Sequence, residues 1–190
     1  MVNPMTPAYE RYLKEVLIDS GTVQARVAEL GAQISADYEG VNSLMLICLL
    51  KGGVMFLTDL MRHITVPHEI DFLAVSSYGR GQRQATGKVR IDMDLTGEVT
   101  DKHLLIVEDI IASGYTLRFV MDVLQARHPA SLKLVALLDK PSRRKLPIPV
   151  DYTGFQIEDK FVFGYGLDLD ERFRNLPFVG VVREDALKHE

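Results

Sequence analysis

Four positions at helical spacing, Val23, Val27, Leu30 and Ile34, mark one apolar face and predict a helix over residues 22–38, with Asp19 or Ser20 as its N-cap. Residues 43–50 form a continuous apolar run, short enough for a strand buried on both faces. Lys51-Gly52-Gly53 breaks that run, and residues 54–62 resume as a helix. Further strands are predicted over residues 70–77, 103–107 and 131–138, with a helix over 113–127 between the last two. Residues 88–94 alternate and suit a hairpin partner, whereas residues 78–87 are rich in Gly, Arg and Gln, lack apolar periodicity and predict an exposed, mobile loop. Strands alternating with helices argue for an α/β fold with a mainly parallel sheet. Residues 141–149 carry three prolines and read as a connector. Beyond them, residues 151–190 hold short strand-like pieces and no long helix, the pattern of a small lid-like subdomain that the N-terminal residues join.

Composition narrows the class. The chain has 190 residues, 47% hydrophobic and 25% charged, which suits one ordinary globular domain. A formal net charge of −4 supplies no global basic field for nucleic acid. The single cysteine, Cys48, lies inside an apolar run and reads as an inert core residue of a reducing compartment. Residues 1–10 lack a signal pattern and no apolar run reaches the ~20 residues of a membrane span, so the expectation is a cytoplasmic protein without nucleic-acid or membrane partners. His63, His68, His103, His128 and His189 show no paired metal-ligand spacing and read as structural or solvated.

The informative string runs from Leu104 to Thr116: an apolar strand ends in Glu108-Asp109, and after Ile110-Ile111-Ala112 the sequence Ser113-Gly114-Tyr115-Thr116 opens a helix. A helix start leaves unpaired N–H groups and a partial positive charge, which suit a phosphate. Gly114 permits close approach, and the hydroxyls of Ser113 and Thr116 add donors. The dipole alone is worth only about 0.3–1 kcal/mol at exposed sites, so the several donors matter more. Adjacent carboxylates at the carboxyl end of a strand can hold vicinal hydroxyls or a hard cation. No Walker A string is present, and Gly79-x-Gly81 lacks the rest of a dinucleotide fingerprint.

This string resembles the signature of phosphoribosyltransferases that bind phosphoribosyl pyrophosphate. Flanking segments narrow the resemblance to the hypoxanthine–guanine family over roughly residues 16–183: Leu50-Lys51-Gly52-Gly53 is similar to its pyrophosphate loop, Ser77-Tyr78 to the start of its catalytic loop, Lys140 to its purine-reading lysine, and Asp159 to Asp168 with Phe173-Arg174-Asn175-Leu176-Pro177 to its hood signature. The resemblance implies a type I phosphoribosyltransferase core, a twisted and mainly parallel sheet flanked by helices, over residues 20–147. Residues 1–19 and 148–190 then form a hood over the purine site, the two integrated as one domain. It implies that Glu108 and Asp109 hold the ribose hydroxyls, that residues Ser113, Gly114, Tyr115 and Thr116 cradle the 5-phosphate, and that Lys51, Gly52 and Arg174 contact pyrophosphate. Lys140 would donate to the purine 6-oxo group, Phe161 would stack on the base beside Lys160, and the Val162 backbone would read its edge. Asp168 would bind Mg2+ directly or through water, with Glu108 and Asp109 helping to place the metal. Phosphoribosyl pyrophosphate and a 6-oxopurine are the implied substrates, and a homodimer or homotetramer the implied assembly.

Read alone, several of these residues have plainer roles. Arg174 would be a surface arginine paired with Asp170 or Glu171, Phe161 core, Asp168 a turn residue, and Arg143-Arg144-Lys145 a solvated basic cluster. One departure stands out. The family has an aspartate facing purine N7 where this chain has Ala112. General acid–base catalysis contributes about 10²–10⁴-fold, so a large loss of rate with binding retained is the expectation. Three accounts stay open: an engineered variant of an active enzyme, an enzyme using water or an already deprotonated base, and a nucleotide-binding regulator that has lost catalysis.

Overall fold

The computed structural model describes residues 8–77 and 89–185. Among the described residues, nine strands and three α-helices follow in the order β1 (Leu13–Ile18), α1 (Ser20–Asp37), β2 (Leu44–Leu50), α2 (Val54–His63), β3 (His68–Ser77), β4 (Val89–Met93), β5 (His103–Ile111), α3 (Tyr115–Gln125), β6 (Ser131–Asp139), β7 (Tyr152–Gln156), β8 (Val162–Phe163) and β9 (Val179–Val182). The main sheet has the order β4-β3-β2-β5-β6-β7, parallel throughout except for β4. Strands β2 and β5 are apolar on both faces because helices cover both. The residues of α1 and α2 pack with Leu46, Cys48, Leu105 and Val107 on one side, and those of α3 with Met45, Ile47, Leu104 and Ile106 on the other. Asp19 caps α1, its carboxylate accepting from Thr22 N–H at 2.9 Å. Cys48 is fully buried, and burial pushes its thiol up to about 12, as an inert core residue requires. No described helix is long and apolar enough to cross a membrane.

A second sheet, β1-β9-β8, is antiparallel. It closes over an aromatic cluster in which Phe173 meets Tyr12 at 5.4 Å and Phe163 at 5.9 Å between ring centres. Two boundaries differ from expectation. Tyr152–Gln156, grouped with the hood from sequence, is the edge strand of the main sheet, because Tyr152 and Phe155 pack into the core beside β6. Strand β5 runs on to Ile111, with Ile110 opposite Leu138 and Ile111 opposite Asp139, so the strand does not end at Glu108-Asp109 but continues two residues beyond them. The expected loop over residues 78–87 lies outside the described residues.

Asp71 on β3 fixes the chain leaving β4. Its buried carboxylate accepts from Phe72 N–H at 2.8 Å, from Thr96 N–H at 2.8 Å and from Gly97 N–H at 3.1 Å. Burial alone would raise the acid's pKa, but the donors from Phe72, Gly97 and Thr96 together outweigh it and hold the carboxyl below its ordinary value. Asp71→Ala removes the shared acceptor of these part-buried N–H groups and is expected to cost about 1–2 kcal/mol, read as a lower urea midpoint with unchanged m.

Candidate active site

In an open α/β sheet a ligand crevice forms outside the carboxyl ends of strands where the chain order reverses. Here the chain goes from β2 outward to β3, then returns to place β5 on the other side of β2, so the reversal falls between β2 and β5. The turns after these two strands are Lys51-Gly52-Gly53 and Ala112-Ser113-Gly114, the two segments singled out in the sequence.

The turn after β5 is shaped for an anion. Gly114 has φ of +87° and begins α3 with no side-chain cap on the first-turn N–H groups. A Cβ at residue 114 would also lie 2.9 Å from Ile148 Cγ1, so both conformation and space require glycine. Glu108, Ala112, Ser113, Gly114 and Thr116 line a cavity of about 150 Å³ at this helix start; Tyr115 opens the helix but does not line it. The proline-containing connector braces the turn, since Lys145 N–H and Leu146 N–H both donate to Ser113 O, at 3.0 and 3.2 Å. Arg144 is not solvated as expected. It is half-buried, ion-paired with the buried Asp139 at the end of β6, and its Nη1 has no partner among the described residues. Arg143 is exposed and pairs with Asp159 at 3.4 Å.

Glu108 and Asp109 meet the crevice as adjacent, half-buried carboxyls. Desolvation pushes Glu108 well up, and the neighbouring Asp109 charge adds to the shift. Asp109 is raised by desolvation too, opposed by the Ile110 N–H bond at 2.7 Å and by the Arg174 charge, while Asp168 pushes it further up. Gly52 sits directly against Asp109, where a Cβ would overlap the carboxylate. A glycine is therefore the residue that lets the turn after β2 rest against β5.

The cations come from two elements. Arg174 donates through Nη1 to Gly166 O at 2.8 Å and pairs through Nη2 with Asp168 at 2.9 Å and Glu171 at 3.1 Å. Lys51 reaches the same Glu171 at 2.9 Å. Gly166 packs against the Gly52 carbonyl so closely that a Cβ would overlap it. The segment carrying Asp168 and Arg174 thus rests on the turn after β2. Tyr165 pins it there, with its ring in the main core and its hydroxyl donating to Asp59 on α2 at 2.7 Å. Neither Tyr165–Asp59 nor Asp139–Arg144 was found from sequence; Tyr165 between two glycines was the available signal for the first, and for the second there was none.

Lys140 follows β6, is only 8% exposed, and donates through Nζ to Lys160 O at 2.5 Å, with Asp159 4.0 Å away. Desolvation lowers its pKa against the pull of Asp159. The Lys160 ammonium points elsewhere, to Glu15 on β1 at 3.1 Å. Phe161 is 52% exposed and so offers a free aromatic face, in place of the core role its type suggests, while Val162 is buried in β8. Ser77 ends β3, and Tyr78 lies outside the described residues. Among the described residues no three His, Cys, Asp or Glu side chains form a ready-made metal shell. Glu108, Asp109 and Asp168 are therefore not a closed cage. Mg2+ is commonly held by one or two carboxylates, several waters and substrate phosphates, and the desolvated acids suit that partial donor set.

The acids make stability pH-dependent. A folded pKa above the unfolded one means that the folded chain binds more protons between the two values, so stability falls as pH rises through that window. Glu108→Gln removes the larger part of this cost and is expected to raise Tm at pH 7–8, with a smaller difference near pH 4. Differential scanning calorimetry at both pH values checks this.

The phosphoribosyl transferase domain family matches residues 17–172. A hypoxanthine phosphoribosyltransferase of Haemophilus influenzae is 50% identical over 170 residues, 88% of this chain and 94% of the relative. A crystal structure of a hypoxanthine phosphoribosyltransferase from Staphylococcus aureus superposes with a TM-score of 0.91 at 43% identity, covering 96% of this chain and 98% of that one. Another solved relative, described as the alanine mutant in an analysis of an invariant aspartic acid in HPRTs, has a TM-score of 0.86 at 38% identity over 92% of this chain and 98% of its own. With its sheet reversal, its acid pair and its open helix start, this chain belongs to the phosphoribosyltransferase family.

Proposed function

We propose that the chain transfers the 5-phosphoribosyl group of phosphoribosyl pyrophosphate to hypoxanthine or guanine, giving IMP or GMP and pyrophosphate, with Mg2+. The observation that carries this reading is the meeting of Gly52, Asp109 and the Asp168–Arg174 segment at the sheet reversal, beside the uncapped start of α3. A substrate that is anionic at both ends needs amides and cations aimed at each, and a ribose between them needs acceptors. Similarity to hypoxanthine phosphoribosyltransferases over almost their whole length supports the purine substrate.

The residues divide the work. The turn Ser113–Thr116 anchors the 5-phosphate through N–H and hydroxyl donors. Glu108 and Asp109 accept from the ribose hydroxyls and fix the anomeric carbon. Lys51, the Gly52 backbone and Arg174 face the departing pyrophosphate. Lys140, buried at the end of β6, donates to the 6-oxo group, Phe161 lends its exposed face for stacking, and the Val162 backbone reads the base edge. When bound, Mg2+ neutralises charge that builds on the leaving group; Asp168 with Glu108 and Asp109 would hold it, partly through water. The base nitrogen bonds to the anomeric carbon as the bond to pyrophosphate breaks, and the electron pair leaves with pyrophosphate. Positioning and electrostatics carry most of the gain.

The proton on the base is the weak point. Ala112 has no group to accept it, and among the described residues Glu108 is the one ionisable side chain lining the same cavity. This favours an enzyme that binds well and turns over slowly; at the extreme it becomes a nucleotide-binding regulator on the same fold. Incubation with phosphoribosyl pyrophosphate, Mg2+ and hypoxanthine is expected to give IMP, and chelation by EDTA to abolish it. Ala112→Asp is expected to raise kcat by about 10²-fold or more with little change in KM. Unchanged kcat would show that loss of a base at this position is not what limits the reaction.

A further inference from the structure

Glu171 occupies an unfavourable position for its residue type. Leu169 and Arg172 exchange both backbone hydrogen bonds at 3.1 Å, closing a two-residue hairpin whose corners are Asp170 and Glu171. Their φ values are +52° and +60°, the geometry of a type I′ turn. Asp-Gly is a relaxed sequence for such a turn, since glycine takes positive φ without steric cost. A glutamate at the second corner is tolerated against that preference, which points to a use for its side chain.

Its contacts show what the side chain does. A single carboxylate oxygen, Oε2, lies 2.9 Å from Lys51 Nζ and 3.1 Å from Arg174 Nη2. These two cations sit 123 residues apart in sequence, on the turn after β2 and on the hood segment, and one acid joins them. Asp168 takes the same Arg174 nitrogen at 2.9 Å and also accepts from Glu171 N–H at 2.9 Å, which fixes the corner. Two positive and two negative side chains then cancel, so the cluster presents no net positive charge to an incoming anion. Lys51 and Arg174 hold the Glu171 carboxyl below its ordinary pKa, which keeps it ionised.

We propose that the Glu171 carboxylate is a built-in competitor for the pyrophosphate-binding cations, taken by Lys51 and Arg174 when no anion is bound and displaced when a pyrophosphoryl group arrives. This rests on the assignment of Lys51 and Arg174 to pyrophosphate given above. The competitor weakens the grip on the pyrophosphoryl group of the substrate and on the pyrophosphate product alike, and so favours product release. Its strength is modest, because Lys51 is 66% and Glu171 60% exposed, and exposed pairs are well solvated.

Two variants of the whole chain test the idea. Glu171→Gln keeps the side-chain size and removes the charge. It is expected to lower KM for phosphoribosyl pyrophosphate and the inhibition constant of magnesium pyrophosphate together, each by about 2–5-fold, and to leave KM for hypoxanthine unchanged. The advantage over the unaltered chain shrinks at 0.5 M salt, where the ion pairs are screened. Glu171→Gly also removes the charge and relaxes the turn, so it gives the same gain with a higher Tm. Unchanged or raised constants in Glu171→Gln overturn the proposal, because the acid would then be ordering the cations for the ligand. A gain confined to Glu171→Gly overturns it too, since backbone freedom would be the cause. Direct calorimetric titration with magnesium pyrophosphate reads the same ratio without turnover. Absence of IMP formation by the unaltered chain contradicts the functional reading separately, and absence of any pyrophosphate binding by it overturns both.

Discussion

Two adjacent carboxyls at the end of a central strand are costly to bury, and the rest of the site is organised around that cost. Glu108 and Asp109 lie where β5 meets the sheet reversal, partly withdrawn from water; desolvation raises the pKa of both, and the Asp109 charge raises Glu108 further. The Ile110 N–H and the Arg174 charge offset only part of this. In the function proposed above, a ribose with vicinal hydroxyls or a divalent cation would supply the missing partners. The folded chain would then trade stability for function at this site, as strained or desolvated sites commonly do.

The hood makes the arrangement specific. Its sheet joins β1 from the start of the described chain to β8 and β9 near its end, and the aromatic cluster around Phe173 holds the segment between β8 and β9 in shape. Gly166 against Gly52 and Tyr165 against Asp59 then fix that segment on the core. Asp168, Glu171 and Arg174 reach the crevice as one group through these contacts. On the other side of β5, the connector after β6 holds Ser113 by two backbone hydrogen bonds, and Asp139 with Arg144 secures the connector. The turns after β5 and β2 are thus each braced by a different part of the chain, with the acid pair between them.

Much of the core was legible because local pattern and final environment agree. The apolar runs ending at Leu50, Val107 and Leu138 are buried on both faces, so continuous hydrophobicity was the right signal for β2, β5 and β6. The Glu108-to-Thr116 string drew notice because carboxylates, glycine and hydroxyls fall in consecutive residues, and the structure places Glu108, Ser113, Gly114 and Thr116 on one cavity. Strand β1 was not legible: Leu13–Ile18 carries Lys14 and Glu15 on a largely exposed surface, and its strand character comes from pairing with residues 179–182 at the far end of the chain. Strand β7 was assigned to the hood because nothing in Tyr152–Gln156 announces that it pairs with β6. Arg144 looked solvated in a run of three basic residues, yet Asp139, five positions earlier, draws it inward. In each of these cases the deciding contact is tertiary, and local pattern carries no record of it.

The central claim is that the sheet reversal forms one pocket for a sugar phosphate, and a crystal structure with bound GMP and Mg2+ tests it most directly. The account predicts the 5-phosphate within hydrogen-bond distance of the backbone N–H groups of residues 113–116, with the ribose hydroxyls facing Glu108 and Asp109. A phosphate bound elsewhere on the chain, with the turn after β5 empty, would contradict it.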